Sequence, residues 1–145
     1  LNGGYACYGT YPTQDGRYLA VGALEPKFFA QVLMALERPD LMPGAYDTGE
    51  EGLKTRAELE RLFKGKPLAH WREVFGALDA CVEPVLEGDE VLADPQHTAR
   101  GMYFEIDGVG QLRTPLHFCE VPRRPAPALG AHNGEVLRAG AASKK

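Results

Sequence analysis

Two spacings of apolar residues alternate along the chain. Short β-prone runs at Tyr8 to Tyr11 and Tyr18 to Ala23 flank Gln14-Asp15-Gly16, and an Asp-Gly pair between such runs predicts a hairpin. The second run gives way at Gly22-Ala23-Leu24-Glu25 to Pro26, whose fixed φ and missing N–H suit the first turn of a helix. Phe28, Phe29, Val32, Leu33 and Leu36 then recur at helical spacing, which predicts a helix from Pro26 to about Arg38 with Pro39 as its stop. Glu25 stands where strand becomes helix.

Asp40 to Gly52, rich in glycine and acids and broken by Pro43, reads as a loop. Thr55-Arg56-Ala57-Glu58 has the form of a capping box, in which hydroxyl and carboxylate satisfy two orphan amides reciprocally, and so predicts the start of a short helix. Its apolar face would be Leu59, Leu62 and Phe63, and Gly65 and Pro67 would close it. A third helix is predicted from Leu68 to Leu78, with Trp71, Val74, Phe75 and Leu78 as one buried stripe and Trp71 in the core. Cys81 to Leu86 reads as a short strand that Pro84 confines to a sheet edge or to an extended crossing.

Glu87 to Ala93 predicts a helical turn or two, and Pro95 opens another that ends near Gly101. From Met102 to Phe118 apolar residues alternate on either side of Asp107-Gly108-Val109-Gly110, a second hairpin. Cys119 to Leu129, with three prolines, reads as an extended connector. Asn133 can cap a last short helix, Gly134 to Arg138, whose Val136 and Leu137 are too few to hold it, so it is expected to dock on something outside this stretch. Strands are segregated from helices, the pattern of an α+β fold.

Composition narrows the function classes. The chain has 145 residues, 44% of them hydrophobic and 25% charged, with a formal net charge of -4. Length suggests one domain, and the charge offers no footprint for nucleic acid or an anionic membrane. No apolar run approaches the ~18–20 residues that span a bilayer, so the chain is expected to be soluble and cytoplasmic. Cys7, Cys81 and Cys119 are odd in number and widely spaced, which fits neither a disulfide framework nor a Cys-x-x-Cys metal or redox site. Leu1-Asn2-Gly3-Gly4 looks like loop, so a fragment of a longer protein is expected.

Phosphate-binding glycine loops, His-Glu-x-x-His and Gly-x-Ser-x-Gly do not occur. His70, His97, His117 and His132 share no spacing that places two on one helix face, and no metal is expected. Arg123 and Arg124 are weak grounds for a phosphate site, and the acidic run from Asp79 to Asp94 reads as a solvated face. Glu25 admits two readings. Its carboxylate can favour the positive end of the following helix, worth about 0.3–1 kcal/mol, or it can be displayed at the lip of a cleft on a rigid strand-to-helix turn.

One set of motifs, in order, goes further. Tyr11-x-x-x-Asp15-Gly16, Ala20-Val21-Gly22-Ala23-x-Glu25-Pro26-x-Phe28-Phe29, Asp79-Ala80-Cys81-Val82-x-Pro84-Val85-Leu86 and Asp94-Pro95-Gln96-x-x-x-Arg100-Gly101 resemble the α-methylacyl-CoA racemases of the class III CoA-transferase (CaiB/BaiF) family. The segment from Arg124 to Gly130, with His132, Asn133, Glu135, Val136 and Leu137, is similar to that family's C-terminal return. The resemblance implies a small α+β domain with its incoming linker over residues 1–120, and over 121–145 a connector and return that dock on an N-terminal large domain outside this chain.

The resemblance further implies an interlocked homodimer acting on an acyl-CoA thioester, with no cofactor beyond that substrate. The histidine base and aspartate acid would lie in the large domain. Glu25 would support the histidine across the dimer interface, and Tyr8 and Leu24 would wall the acyl pocket. Gly3-Gly4 is only a pair where the transferases of the family carry a glycine-rich loop, which favours a racemase over a CoA-transferase. A non-catalytic, self-associating module is the reading from another class.

Overall fold

The computed structural model describes residues 3–114 and 124–142. Length suggested one domain, but the chain divides into two compact units, Leu1–Leu86 and Glu87–Lys145. Both combine small antiparallel sheets or helices in the α+β manner expected.

In the first unit, β1 (Tyr8–Pro12) and β2 (Tyr18–Gly22) pair antiparallel, and β3 (Val82–Pro84) joins the far side of β2. Pro12 and Pro84 therefore sit on edge strands, where a missing N–H costs no ladder bond. The hairpin turn is a three-residue loop. The Gly16 amide bonds the Thr13 carbonyl at 3.1 Å and Gly16 has φ +75°, the type I turn plus left-handed residue that matches strand twist. Register sends Tyr11, Leu19, Val21 and Val82 to one face, all buried, and Tyr8, Thr10, Tyr18, Ala20 and Glu83 to the other.

Three α-helices and one 3-10 turn surround the buried face. α1 (Pro26–Ala35) buries Phe29, Val32 and Leu33. It ends three residues before the expected Arg38, because the Glu37 amide bonds Met34 O and the Arg38 amide bonds Leu33 O, at 3.0 and 2.8 Å. This is a Schellman closure with Glu37 at φ +56°, a place usually taken by glycine; without glycine the sequence carries no signal for it.

The expected loop holds a 3-10 helix, Pro39–Gly44. α2 runs Glu50–Phe63, so Thr55 and Glu58 lie inside it and the capping box is not formed. The helix starts earlier because the Asp47 carboxylate accepts the Gly52 amide at 2.8 Å, and the Gly52 and Gly49 amides hold that carboxyl below its ordinary range. Gly52 is required there, since a Cβ would stand 1.7 Å from the Asp47 carbonyl oxygen. Thr55 is fully buried against Gly44. Glu58 instead bonds Arg61 and Arg38, and Arg38 also holds Asp40 at 2.7 Å, tying the ends of α1, the 3-10 helix and α2 together.

α3 (Leu68–Gly76) buries Leu68, Trp71 and Phe75. Trp71 lies in the core as expected, and its indole N–H reaches the Phe63 carbonyl at 2.9 Å, satisfying an orphan acceptor at the end of α2. Leu78 falls outside the helix and is exposed, so it drops from the predicted stripe.

In the second unit, α4 (Asp89–Ala93) and α5 (Pro95–Ala99) follow the predicted turns, with Asp94 capping α5 through the Gln96 and His97 amides at 3.0 and 3.2 Å. β4 (Tyr103–Ile106) and β5 (Val109–Leu112) form the second hairpin. Asp107 and Gly108 both have positive φ, at 53° and 77°, as a two-residue turn of the primed type requires. The rest of that predicted hairpin, from Pro115, and the connector up to Arg123 lie outside the described residues. α6 spans Asn133–Ala142, longer than predicted and beginning at Asn133 itself; Val136 and Leu137 are exposed.

Candidate functional site

The Glu25 turn is built from three stretches that meet at the start of β1. Tyr8 pairs with Gly22 across the hairpin. The Gly22 amide reaches the Cys81 carbonyl at 2.8 Å, the Ala23 amide the Cys7 carbonyl at 3.0 Å, and the Cys7 amide the Ala45 carbonyl at 3.3 Å. Leu24 N then bonds Gly22 O at 3.0 Å, a tight turn that swings the chain off the sheet. Cys7, Ala23 and Ala45 are buried, which excludes water from these bonds, and burial pushes the Cys7 thiol up.

Glu25 is the N-cap residue of α1, with φ -75° and ψ 136°. Its carbonyl accepts the Phe28 and Phe29 amides at 3.0 and 3.2 Å, yet its carboxylate makes no capping bond. Asp, Asn, Ser and Thr reach the N2 or N3 amide from this position; the longer glutamate does not do so here. The side chain is exposed, and among the described residues it has no hydrogen bond or ion pair. Tyr8 is half-buried on the sheet face opposite the core, and Leu24 is half-buried against the core cluster. The three residues singled out in the sequence thus belong to one corner of the first unit.

Sequence reasoning missed two residues at this corner. The Tyr46 hydroxyl donates to the Leu24 carbonyl, and its ring meets Tyr5 edge-on with centroids 6.0 Å apart. Partial desolvation, then the neighbouring Cys7 and Glu25, raise the Tyr46 pKa. An aromatic in a glycine- and acid-rich loop was the available signal, but nothing local tied it to Leu24.

A cleft of about 420 Å³ opens at the opposite end of α1, lined by Leu36, Leu62, Lys66, His70, Trp71 and Val74 among others. About ten helical residues, roughly 15 Å, separate it from Glu25, which does not line it. Among the described residues no three His, Cys, Asp or Glu side chains converge to hold a metal, and no helix is long and apolar enough to cross a membrane. Chemically, an exposed carboxylate on a fixed turn can accept a hydrogen bond from, or steady the positive charge of, a group brought to it. Alone it cannot both remove and return a proton on opposite faces of one carbon.

Residues 2–133 match the family model described as CoA-transferase family III. The chain is 37% identical over 150 residues to an alpha-methylacyl-CoA racemase of Mus musculus, covering 95% of this chain and 38% of that protein. To the Homo sapiens protein of the same name it is 32% identical, over 94% of this chain and 37% of that one. A crystal structure of a CaiB/BaiF family protein from Brucella suis superposes with TM-score 0.67 at 25% identity, covering 96% of this chain and 38% of that chain. The chain spans less than two fifths of the length of these relatives. With the matched family model covering nearly its whole length, the chain belongs to CoA-transferase family III.

Proposed function

We propose that this chain forms part of a 2-methylacyl-CoA racemase or epimerase and supplies one wall of its active site. The observation that carries the reading is the Glu25 carboxylate, exposed on a rigid turn and unused as a helix cap, in a chain 37% identical to an alpha-methylacyl-CoA racemase. Racemising such a thioester means removing the α-proton to give an enolate and returning a proton on the other face, so acid and base must stand on opposite sides of the carbon.

In this reading both proton-moving groups, a histidine and an aspartate, belong to a large domain outside this chain. A second copy in a homodimer brings Glu25 to that histidine, where a hydrogen bond fixes the imidazole tautomer and favours its charged form. Tyr8 and Leu24 wall the acyl pocket. Residues 1–120 act as the small domain and 121–145 as the return onto the large one, and the chain is inactive without it. Acyl-CoA is the substrate, no further cofactor takes part, and the protein works in the cytoplasm.

The family's own description favours a second reading, transfer of CoA between carboxylic acids. The two separate in one experiment on the full-length protein: 2-methylacyl-CoA in deuterated solvent, with and without an acid acceptor. Loss of the α-proton without acceptor is the result expected. CoA transfer that needs the acceptor and labels an aspartate covalently, with no α-exchange, would replace the racemase reading by the transferase.

A further inference from the structure

We propose that Tyr46 is a positioning residue for the Glu25 turn, its hydroxyl setting the direction in which the Glu25 carboxylate leaves the backbone. The Leu24 carbonyl lies outside α1, whose amides at Phe28 and Phe29 turn to the Glu25 carbonyl instead. Because the peptide unit is planar, the Leu24 C=O and the Glu25 N–H move as one plate. Anchoring the Leu24 oxygen therefore fixes ψ at Leu24 and φ at Glu25, and with them the Cα–Cβ direction of Glu25.

The anchor is itself held. Ala45, one residue before Tyr46, bonds the Cys7 amide at 3.3 Å, and Cys7 in turn bonds Ala23, one residue before Leu24, at 3.0 Å. Tyr5 closes the ring side at 6.0 Å. Tyr46 nevertheless keeps 40% of its surface exposed, which suits a strut at the lip of a site better than a core anchor. A phenol with an ordinary value of 10 is already a donor across the neutral range, and partial desolvation raises that value further.

This inference rests on the racemase reading, in which the direction of Glu25 matters to a reaction. Its test uses full-length enzyme, α-proton exchange as readout, and Tyr46→Phe, which keeps the ring against Tyr5 and deletes only the hydroxyl. A misdirected supporting group costs turnover, not substrate affinity, so kcat is expected to fall five- to tenfold, about the worth of one hydrogen bond, with KM within twofold. In a Glu25→Gln background the same change is expected to cost nothing further, since both act through one group. Wild-type exchange by Tyr46→Phe, or a loss that adds in full to that of Glu25→Gln, would overturn the role of Tyr46 while leaving the racemase reading intact. Absence of exchange in the unmutated enzyme would overturn both.

Discussion

The carboxylate of Asp15, in the first hairpin, accepts the backbone amide of Leu68, 53 residues further on, with both oxygens at 3.2 Å. Pro67, the residue before α3, makes no side-chain cap for that helix, so Asp15 supplies one from the sheet side while also accepting the Thr13 hydroxyl. One turn residue thereby fixes both the hairpin loop and the start of the helix that carries Trp71.

Asp15→Ala is expected to lower stability, because it removes the cap on the first amide of α3. The Thr13 hydroxyl first, then the Leu68 amide, hold the Asp15 carboxyl below its ordinary 3.8. A depressed folded-state pKa gives stability that is present above the unfolded value and lost as pH falls through the folded one. Urea midpoints of wild type and Asp15→Ala should therefore differ at pH 7 and converge below pH 3.8; a gap that stays constant to pH 2 would count against the cap.

Thr55 is fully buried, and its hydroxyl has no hydrogen-bond partner among the described residues. Leaving such a group unmet costs about 1–3 kcal/mol. Thr55→Val keeps the shape and removes the polar atom, so stability is expected to rise by about 1 kcal/mol, read as a higher urea midpoint at unchanged slope. In the opposite direction, Gly44→Ala would place a Cβ 2.0 Å from the Thr55 oxygen and is expected to cost about 1–3 kcal/mol by overpacking.

Glu58 is held at about 2, against an ordinary 4.5, by Arg61 first and then Arg38. Its contribution is thus complete above pH 4.5 and lost as pH drops toward 2. Glu58→Gln should be less stable than wild type at pH 7, and the difference should close across that window in acid titrations followed by circular dichroism. The same difference at pH 7 and at pH 2.5 would refute the ion-pair assignment.

Local chemistry carried most of the fold. The Asp15-Gly16 and Asp107-Gly108 pairs, Pro26, Pro95 and the spacing of Phe29, Val32 and Leu33 each determine structure within a few residues, so each was legible. The start of α2 was not. Thr55 and Glu58 have the right spacing for a cap, but Asp47 reaches Gly52 first, and Glu58 is drawn to Arg38, twenty residues away. At the candidate site, the strand-to-helix change pointed to Glu25 because its position follows from neighbours. Tyr46 was out of reach for the same reason in reverse, since its bond to Leu24 spans 22 residues of chain and leaves no periodic trace.

The most direct test of the central claim, that this chain lends one acidic side chain to a thioester-handling site, is the rate of α-proton exchange from 2-methylacyl-CoA into deuterated solvent by full-length Glu25→Gln. A residue that orients a catalytic histidine is worth about 10- to 100-fold by comparison with supporting partners of other histidines, and the Glu25 side chain makes no hydrogen bond or ion pair among the described residues that Gln would lose. Exchange is therefore expected to fall at least tenfold with the melting temperature unchanged. Exchange at the wild-type rate would contradict the role assigned to Glu25.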